Sequence, residues 1–324
     1  MQPLKFQPYL KSVLWGGEEI AAFKGIECDR KDIGESWEIS SVPGHESVVS
    51  GGEYDGEKIT ALIERFKGRL VGDNVYAVYG DKLPLLIKFI DANQDLSLQV
   101  HPDDELAMKR HGSLGKTEMW YIIKTRPGAK IRTGLSGQLT PETYEKRLAD
   151  NTLIDAVALY DSHPGDLFYL PAGRMHAICA GNLLVEIQET SDITYRVYDY
   201  NRRDADGNLR ELHTSLAKDA IDYTVYPSYK SNYTEVDGES LLVECEHFDV
   251  RRERIEGSRE IINSHDSFMA LMCIDGECDI ETVDSVDGGK SITAVRTGES
   301  VLIPACCKNM TVTGNVTLIT AIVP

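Results

Sequence analysis

Much of this 324-residue chain alternates apolar and polar positions with a period of two, which predicts strands. Leu83-Pro-Leu-Leu-Ile-Lys-Phe-Ile90 is a short apolar run that reads as a buried strand. Leu96-Ser-Leu-Gln-Val-His101 alternates cleanly. That pattern predicts a half-buried strand with Leu96, Leu98 and Val100 packed on one face and Gln99 and His101 on the other. Further strands are predicted at 119–124, 166–170, 183–188 and 194–198. Helical spacing is rarer. It occurs at 59–67 and, more weakly, at 212–220. A helix is predicted at 141–149, where Thr140 caps, Pro141 takes the first position and Glu142 follows in the first turn. A second short helix is predicted near 153–158.

A polar stretch rich in Tyr and Ser at 223–238 predicts a domain boundary, with units at 1–230 and 231–324. The second unit carries an echo of the first. Gly165-Asp-Leu-Phe-Tyr-Leu-Pro171-Ala-Gly173-Arg-Met-His176 reads as a strand, a tight Pro/Gly turn and one presented histidine. Gly298-Glu-Ser-Val-Leu-Ile-Pro304-Ala-Cys306 repeats the Gly-to-Pro spacing, with Asn309 standing where the histidine would be. The fold class expected is therefore mainly β: two jelly-roll barrels with a few helices inserted in the first, and no metal ligands in the second.

Composition narrows the function classes. Apolar content of 42% and charged content of 27% suit a globular protein. The net charge of −18 argues against a nucleic-acid partner, because no basic surplus exists to neutralise phosphates. An anionic substrate would need a local cluster of Lys and Arg. No apolar run approaches a membrane span, and the N-terminus carries no signal-like segment. Seven scattered cysteines without a C-x2-C pair read as reduced thiols of a cytoplasmic protein. Asp204-Ala-Asp-Gly-Asn208 lacks calcium-loop spacing and is predicted to be a solvated turn.

The candidate chemistry lies in the first unit. His101 and His176, with the carboxylate of Glu118 and the amide of Gln99, form the donor set that a first-row metal takes. Each residue alone has a bland reading as a core histidine, a strand end or a surface amide; the joint pattern points to a metal. Two His, one Glu and one Gln would leave a coordination position open, as in catalytic sites. His45, His111, His163, His213, His247 and His265 lack this context. Gly112-Ser-Leu-Gly-Lys-Thr117 imitates a phosphate loop, but Arg110 stands at its first Gly position. Glu186 and Gln188 share one strand face, as do Thr194, Arg196 and Tyr198. Either pair of faces reads as an outward polar surface or as a continuation of the site wall.

At these residues the chain resembles type I mannose-6-phosphate isomerases, short bacterial members of the cupin superfamily. The resemblance is carried by Pro3-Leu-Lys-Phe with Trp15-Gly-Gly17, Gly34-Glu-Ser-Trp-Glu-Ile-Ser40 and Leu98-Gln-Val-His-Pro-Asp-Asp104. It continues through Gly115-Lys-Thr-Glu-Met-Trp-Tyr121, Pro171-Ala-Gly-Arg-Met-His-Ala177, Glu186-Ile-Gln-Glu-Thr-Ser-Asp192 and Tyr195-Arg-Val-Tyr-Asp199. The resemblance implies one zinc ion per chain held by Gln99, His101, Glu118 and His176. It implies Arg196 as the catalytic arginine, with Lys116 and Glu186 in the same pocket. The implied reaction interconverts mannose 6-phosphate and fructose 6-phosphate through a cis-enediol or enediolate, with a sugar phosphate as the small-molecule partner. Two other readings stay open on the residues alone: a non-haem iron cupin oxygenase, and a metal-binding cupin that senses sugar without turnover. Oligomeric state is not legible.

Overall fold

The structure is a computed structural model that describes residues 1–203 and 207–324. The turn expected at Asp204-Ala-Asp-Gly-Asn208 falls largely on 204–206, outside the described residues. The chain folds mainly as antiparallel β-structure. A six-stranded sheet runs, in spatial order, Leu167–Leu170, Glu118–Thr125, Asn182–Glu189, Leu85–Ala92, Ile33–Ile39, Tyr9–Gly17. A five-stranded sheet runs Tyr195–Tyr198, Leu98–Val100, His176–Ile178, Lys130–Leu135, Val157–Asp161.

These two sheets share one apolar layer. Ile90, Trp120, Ile122, Phe168 and Leu184 come from the first sheet, and Ile131 and Ile178 from the second. The opposite face of the six-stranded sheet buries Leu85, Ile87, Phe89, Val185 and Ile187 in a larger core. The strands Leu85–Ala92 and Asn182–Glu189 are thus buried on both faces, which fits the apolar run of the first; the second instead alternates Val185 and Ile187 with buried Glu186 and Gln188.

The third sheet has eight strands and contains most of residues 238–322. It also takes in the N-terminal strand Leu4–Gln7, which pairs with Ser300–Ile303, so the two ends of the chain meet in one sheet. The helices Ile59–Phe66, Gly68–Val71 and Asp73–Tyr79 wedge into the same junction. The amides of Ala305 and Phe268 donate to the carbonyls of Leu70 and Val71 at 2.8 and 3.1 Å.

The mainly β class is borne out, whereas two closed barrels are not. Among the described residues none of the three sheets closes on itself by hydrogen bonding. The two N-terminal sheets face each other across a side-chain core and keep open edges, which a sequence repeat alone cannot distinguish from a closed barrel. The repeat itself is present in the backbone. Leu167–Leu170 and Ser300–Ile303 are both four-residue strands. Each is followed by a turn closed from the fourth residue to the proline carbonyl, Arg174 to Pro171 at 3.2 Å and Cys307 to Pro304 at 2.8 Å. The first turn leads to buried His176 and the second to exposed Asn309.

Most predicted elements form close to their expected positions. The helix Pro141–Ala149 has the predicted Thr140 cap, whose hydroxyl accepts from the Thr143 amide. The element near 153–158 is a 3-10 turn, Leu153–Ala156. The strand expected from Leu96 is shorter, Leu98–Val100. Leu98 and Val100 pack behind it, but Leu96 precedes the strand and joins the layer between the sheets. The helices Glu19–Lys24, Gly68–Val71, Asp73–Tyr79 and Asp104–His111 lie outside the expected ones. Asp104–His111 carries mostly polar residues and therefore lacks an apolar stripe.

Candidate metal centre and its cavity

Strand register builds the site as two rows of side chains. In the five-stranded sheet Arg196 lies opposite Gln99, Gln99 opposite His176, and His176 opposite Thr133. In the six-stranded sheet Trp37 lies opposite Lys88, Lys88 opposite Glu186, and Glu186 opposite Trp120. Directly opposed residues on antiparallel strands point to the same face, so each row is contiguous. His101 follows the end of Leu98–Val100, and Glu118 opens Glu118–Thr125. The ligating atoms of His101, Glu118 and His176 lie within 4.8 Å of one another, and all three residues are buried.

The ring orientations are held from behind. His101 Nδ1–H donates to the Ile193 carbonyl at 2.9 Å, and His176 Nδ1–H donates to the Arg174 carbonyl at 2.9 Å. A carbonyl can only accept, so both rings carry their proton on Nδ1 and turn an Nε2 lone pair toward Glu118. His176 Nε2 is 3.2 Å and His101 Nε2 is 3.6 Å from the Glu118 oxygens. Burial holds both imidazoles neutral, pushing His176 down to about 3 and His101 well below the usual histidine range.

Glu118 is fully buried, and neither of its oxygens accepts a hydrogen bond of good geometry. The Lys116 ammonium stands 2.9 Å away as an ion-pair partner without filling that role. Burial pushes the Glu118 carboxyl up to about 7 against the pull of Lys116. A buried carboxylate with both oxygens short of donors, facing two imidazole lone pairs, is a donor set that fits a divalent cation. Gln99 completes the group, with Nε2 at 3.2 Å from His176 Nε2.

In front of this cluster lies a cavity of about 420 Å³. Gln99, Lys116, Glu186 and Arg196 all line it, whereas His101, Glu118 and His176 sit behind its wall. Lys116 spans the two regions, since its Nζ also lies 3.2 Å from His101 Nε2. Glu186 accepts from Lys88 Nζ at 2.9 Å and from the Trp120 indole at 3.0 Å. Burial alone would raise its pKa, but Lys88 and Lys116 outweigh that and bring it down to about 2. Arg196 is half-buried and its Nε lacks a partner. Burial, followed by repulsion from Arg210, pulls its guanidinium below its usual range. Two neighbouring guanidinium groups on one cavity wall favour an anion.

All seven residues singled out in the sequence therefore converge, three as the buried cluster and four as cavity lining. Sequence reasoning missed Lys88 and Arg210, which line the same cavity. Lys88 had a readable signal: a single cation inside an apolar run that predicts a buried strand must find a buried carboxylate. Its partners are Glu186 and, at 3.9 Å, Glu35. Arg210 had none, because it follows a loop without periodicity.

Comparison with known proteins agrees with this architecture. The model of the family described as phosphomannose isomerase type I, catalytic domain, matches residues 4–121. That described as mannose-6-phosphate isomerase, cupin domain, matches residues 239–323. Mannose-6-phosphate isomerase ManA of Bacillus subtilis is 36% identical over 309 residues, covering 94% of this chain and 93% of the relative. Mannose-6-phosphate isomerase of Streptococcus mutans is 31% identical over 320 residues, covering 98% of this chain and 97% of the relative. The solved structure of the mannose 6-phosphate isomerase from Bacillus subtilis superposes with a TM-score of 0.87 at 31% identity, covering 99% of each chain. With this similarity over nearly its whole length, the chain belongs to the type I phosphomannose isomerase family of aldose–ketose isomerases.

Proposed function

We propose that the chain interconverts mannose 6-phosphate and fructose 6-phosphate through a cis-enediol or enediolate, with one zinc ion held by Gln99, His101, Glu118 and His176. The observation that carries the reading is the fully buried Glu118 carboxylate, ion-paired to Lys116 and facing two Nδ1-protonated histidines behind a cation-lined cavity. A bound divalent ion would supply positive charge to a developing sugar oxyanion.

The chain's own residues have separable tasks in this reading. Arg196 and Arg210 offer guanidinium groups to the phosphate or to the enediolate. Glu186, locked in charge-assisted hydrogen bonds and depressed to about 2, is a weak base. It suits accepting a hydrogen bond from a sugar hydroxyl. Lys116, between the ligand cluster and the cavity, is then the better candidate for moving the proton between neighbouring carbons. Residues 1–230 carry the chemistry, while 231–324 form a second cupin-type unit. A cytoplasmic setting accords with seven free thiols.

Conversion of mannose 6-phosphate in deuterated water, followed by NMR, tests the reading. Fructose 6-phosphate carrying solvent deuterium at C1 is the expected product. Product still unlabelled after many forward and reverse turnovers, when any exchangeable proton on the base has been replaced, overturns the enediol step, and absence of product overturns the isomerase assignment.

A further inference from the structure

The segment at 222–233 lies along the Gly165–His176 motif and bonds to it repeatedly. The Asp222 amide donates to the Gly173 carbonyl at 2.8 Å, and the Ser231 amide to the Leu167 carbonyl at 2.9 Å. Ser231 Oγ accepts from the Tyr169 amide at 3.2 Å, and the Tyr233 hydroxyl donates to the Gly165 carbonyl at 3.0 Å. On its other side the turn is tied to the second histidine, because the Gly173 amide donates to the His101 carbonyl at 2.9 Å. Gly173 has φ +88°, and a Cβ there would sit 3.0 Å from the Ala220 carbonyl oxygen, so this close approach requires glycine.

Arg174 is the centre of the contact. Its guanidinium lies 5.3 Å from the ring centroid of Tyr226 and 5.0 Å from that of Tyr229. It also donates to the Tyr169 carbonyl at 2.8 Å, and its Nε has no partner. No carboxylate pairs with it among the described residues, so the two aromatic faces are its main electrostatic partners. Tyr229 is itself fixed: it is buried, and its ring occupies the space where a Cβ on Gly134 would come within 2.2 Å. The carbonyl of this same Arg174 holds His176 Nδ1.

We propose that residues 222–233 act as a strap that sets the orientation of the metal histidine, with Arg174, Tyr226 and Tyr229 as positioning residues. The two rings hold the guanidinium, the guanidinium fixes the backbone of residue 174, and the carbonyl of that residue fixes the imidazole. This proposal rests on the reading of His101, Glu118 and His176 as metal-holding. The strap also gives the polar tyrosine-rich linker a task beyond joining two units.

The test uses cobalt(II) as the probe, with chelator competition for affinity and visible absorption for coordination geometry. Partners behind a ligand contribute about 10–100-fold to metal affinity. A Tyr226→Leu/Tyr229→Leu variant is expected to lose about tenfold or more and to change its cobalt spectrum, while Tyr226→Phe/Tyr229→Phe, which keeps both rings, stays within about threefold. A folded leucine pair with wild-type affinity and spectrum overturns the strap, as does a phenylalanine pair as weak as the leucine pair. Should the leucine pair not fold, Arg174→Met is read for the same loss or its absence. His176→Ala separates the two levels: wild-type affinity there overturns the metal reading itself, whereas its loss beside an unchanged leucine pair overturns the strap alone.

Discussion

Gln99 and His176 face each other across neighbouring antiparallel strands with their Nε2 atoms 3.2 Å apart. Because His176 keeps its proton on Nδ1, the Gln99 amide must be the donor in this contact. A cation at the lone pair of His176 would displace that N–H and call for the amide oxygen instead. Gln99→Leu removes the oxygen and leaves the two histidines and Glu118. It is expected to lower metal affinity about tenfold, measured by chelator competition. Unchanged affinity would remove Gln99 from the ligand set.

As a ligand, Glu118 would make metal binding pH-dependent. Its carboxyl titrates near 7 when folded, against an ordinary value of 4.5. The folded state therefore binds more protons, so the metal-free protein loses stability as pH rises from 4.5 toward 7 and holds that loss above it. Glu118→Gln should raise the Tm of the metal-free protein at alkaline pH and leave it nearly unchanged below the ordinary carboxyl range. Because burial already keeps both histidines neutral, protons compete with the metal mainly at Glu118. Metal affinity should fall as pH drops below 7. A flat affinity across that window would contradict the protonation state assigned to Glu118.

Arg196 lines the cavity but touches none of the cluster's ligand atoms at hydrogen-bond distance. Arg196→Ala should keep full metal content and lose about 100-fold in turnover, the scale of one positioned donor to developing charge. A raised KM with unchanged kcat would assign Arg196 to ground-state phosphate binding alone. Full activity would remove it from the site.

The cap of the helix Pro141–Ala149 provides a control remote from the chemistry. Thr140→Ala removes the hydroxyl that accepts from the Thr143 amide and should cost about 1 kcal/mol in denaturant unfolding. Metal content and turnover should stay unchanged, and a loss of either would tie that helix to the site.

Sequence patterning revealed the strands and the site residues for one physical reason. In an antiparallel sheet a two-residue period fixes which face a side chain takes, so the alternation of 96–101 places Gln99 on the polar face. Glu186 follows the same logic, since it alternates with Val185 and Ile187 of the core. The period does not encode which sheets face each other, so the pairing of the Lys88 row with the His176 row was invisible, as was the open state of both sheets. Arg210 reaches the cavity from irregular chain, where no period exists to read. The stretch at 223–238 reads as a boundary because it is polar and rich in Tyr and Ser; the contacts of Tyr226 and Tyr229 with Arg174, distant in sequence, leave no mark in that composition.

In the proposed function His101, Glu118 and His176 hold a metal on which sugar-phosphate isomerisation depends. The most direct measurement compares metal content and conversion of mannose 6-phosphate in the wild type, in the wild type stripped by chelator, and in His176→Ala. The expected result is one zinc per chain and turnover in the wild type, reversible loss of turnover on stripping, and loss of both metal and turnover in His176→Ala. Turnover that survives complete removal of metal, or a His176→Ala protein that retains its zinc, would contradict it.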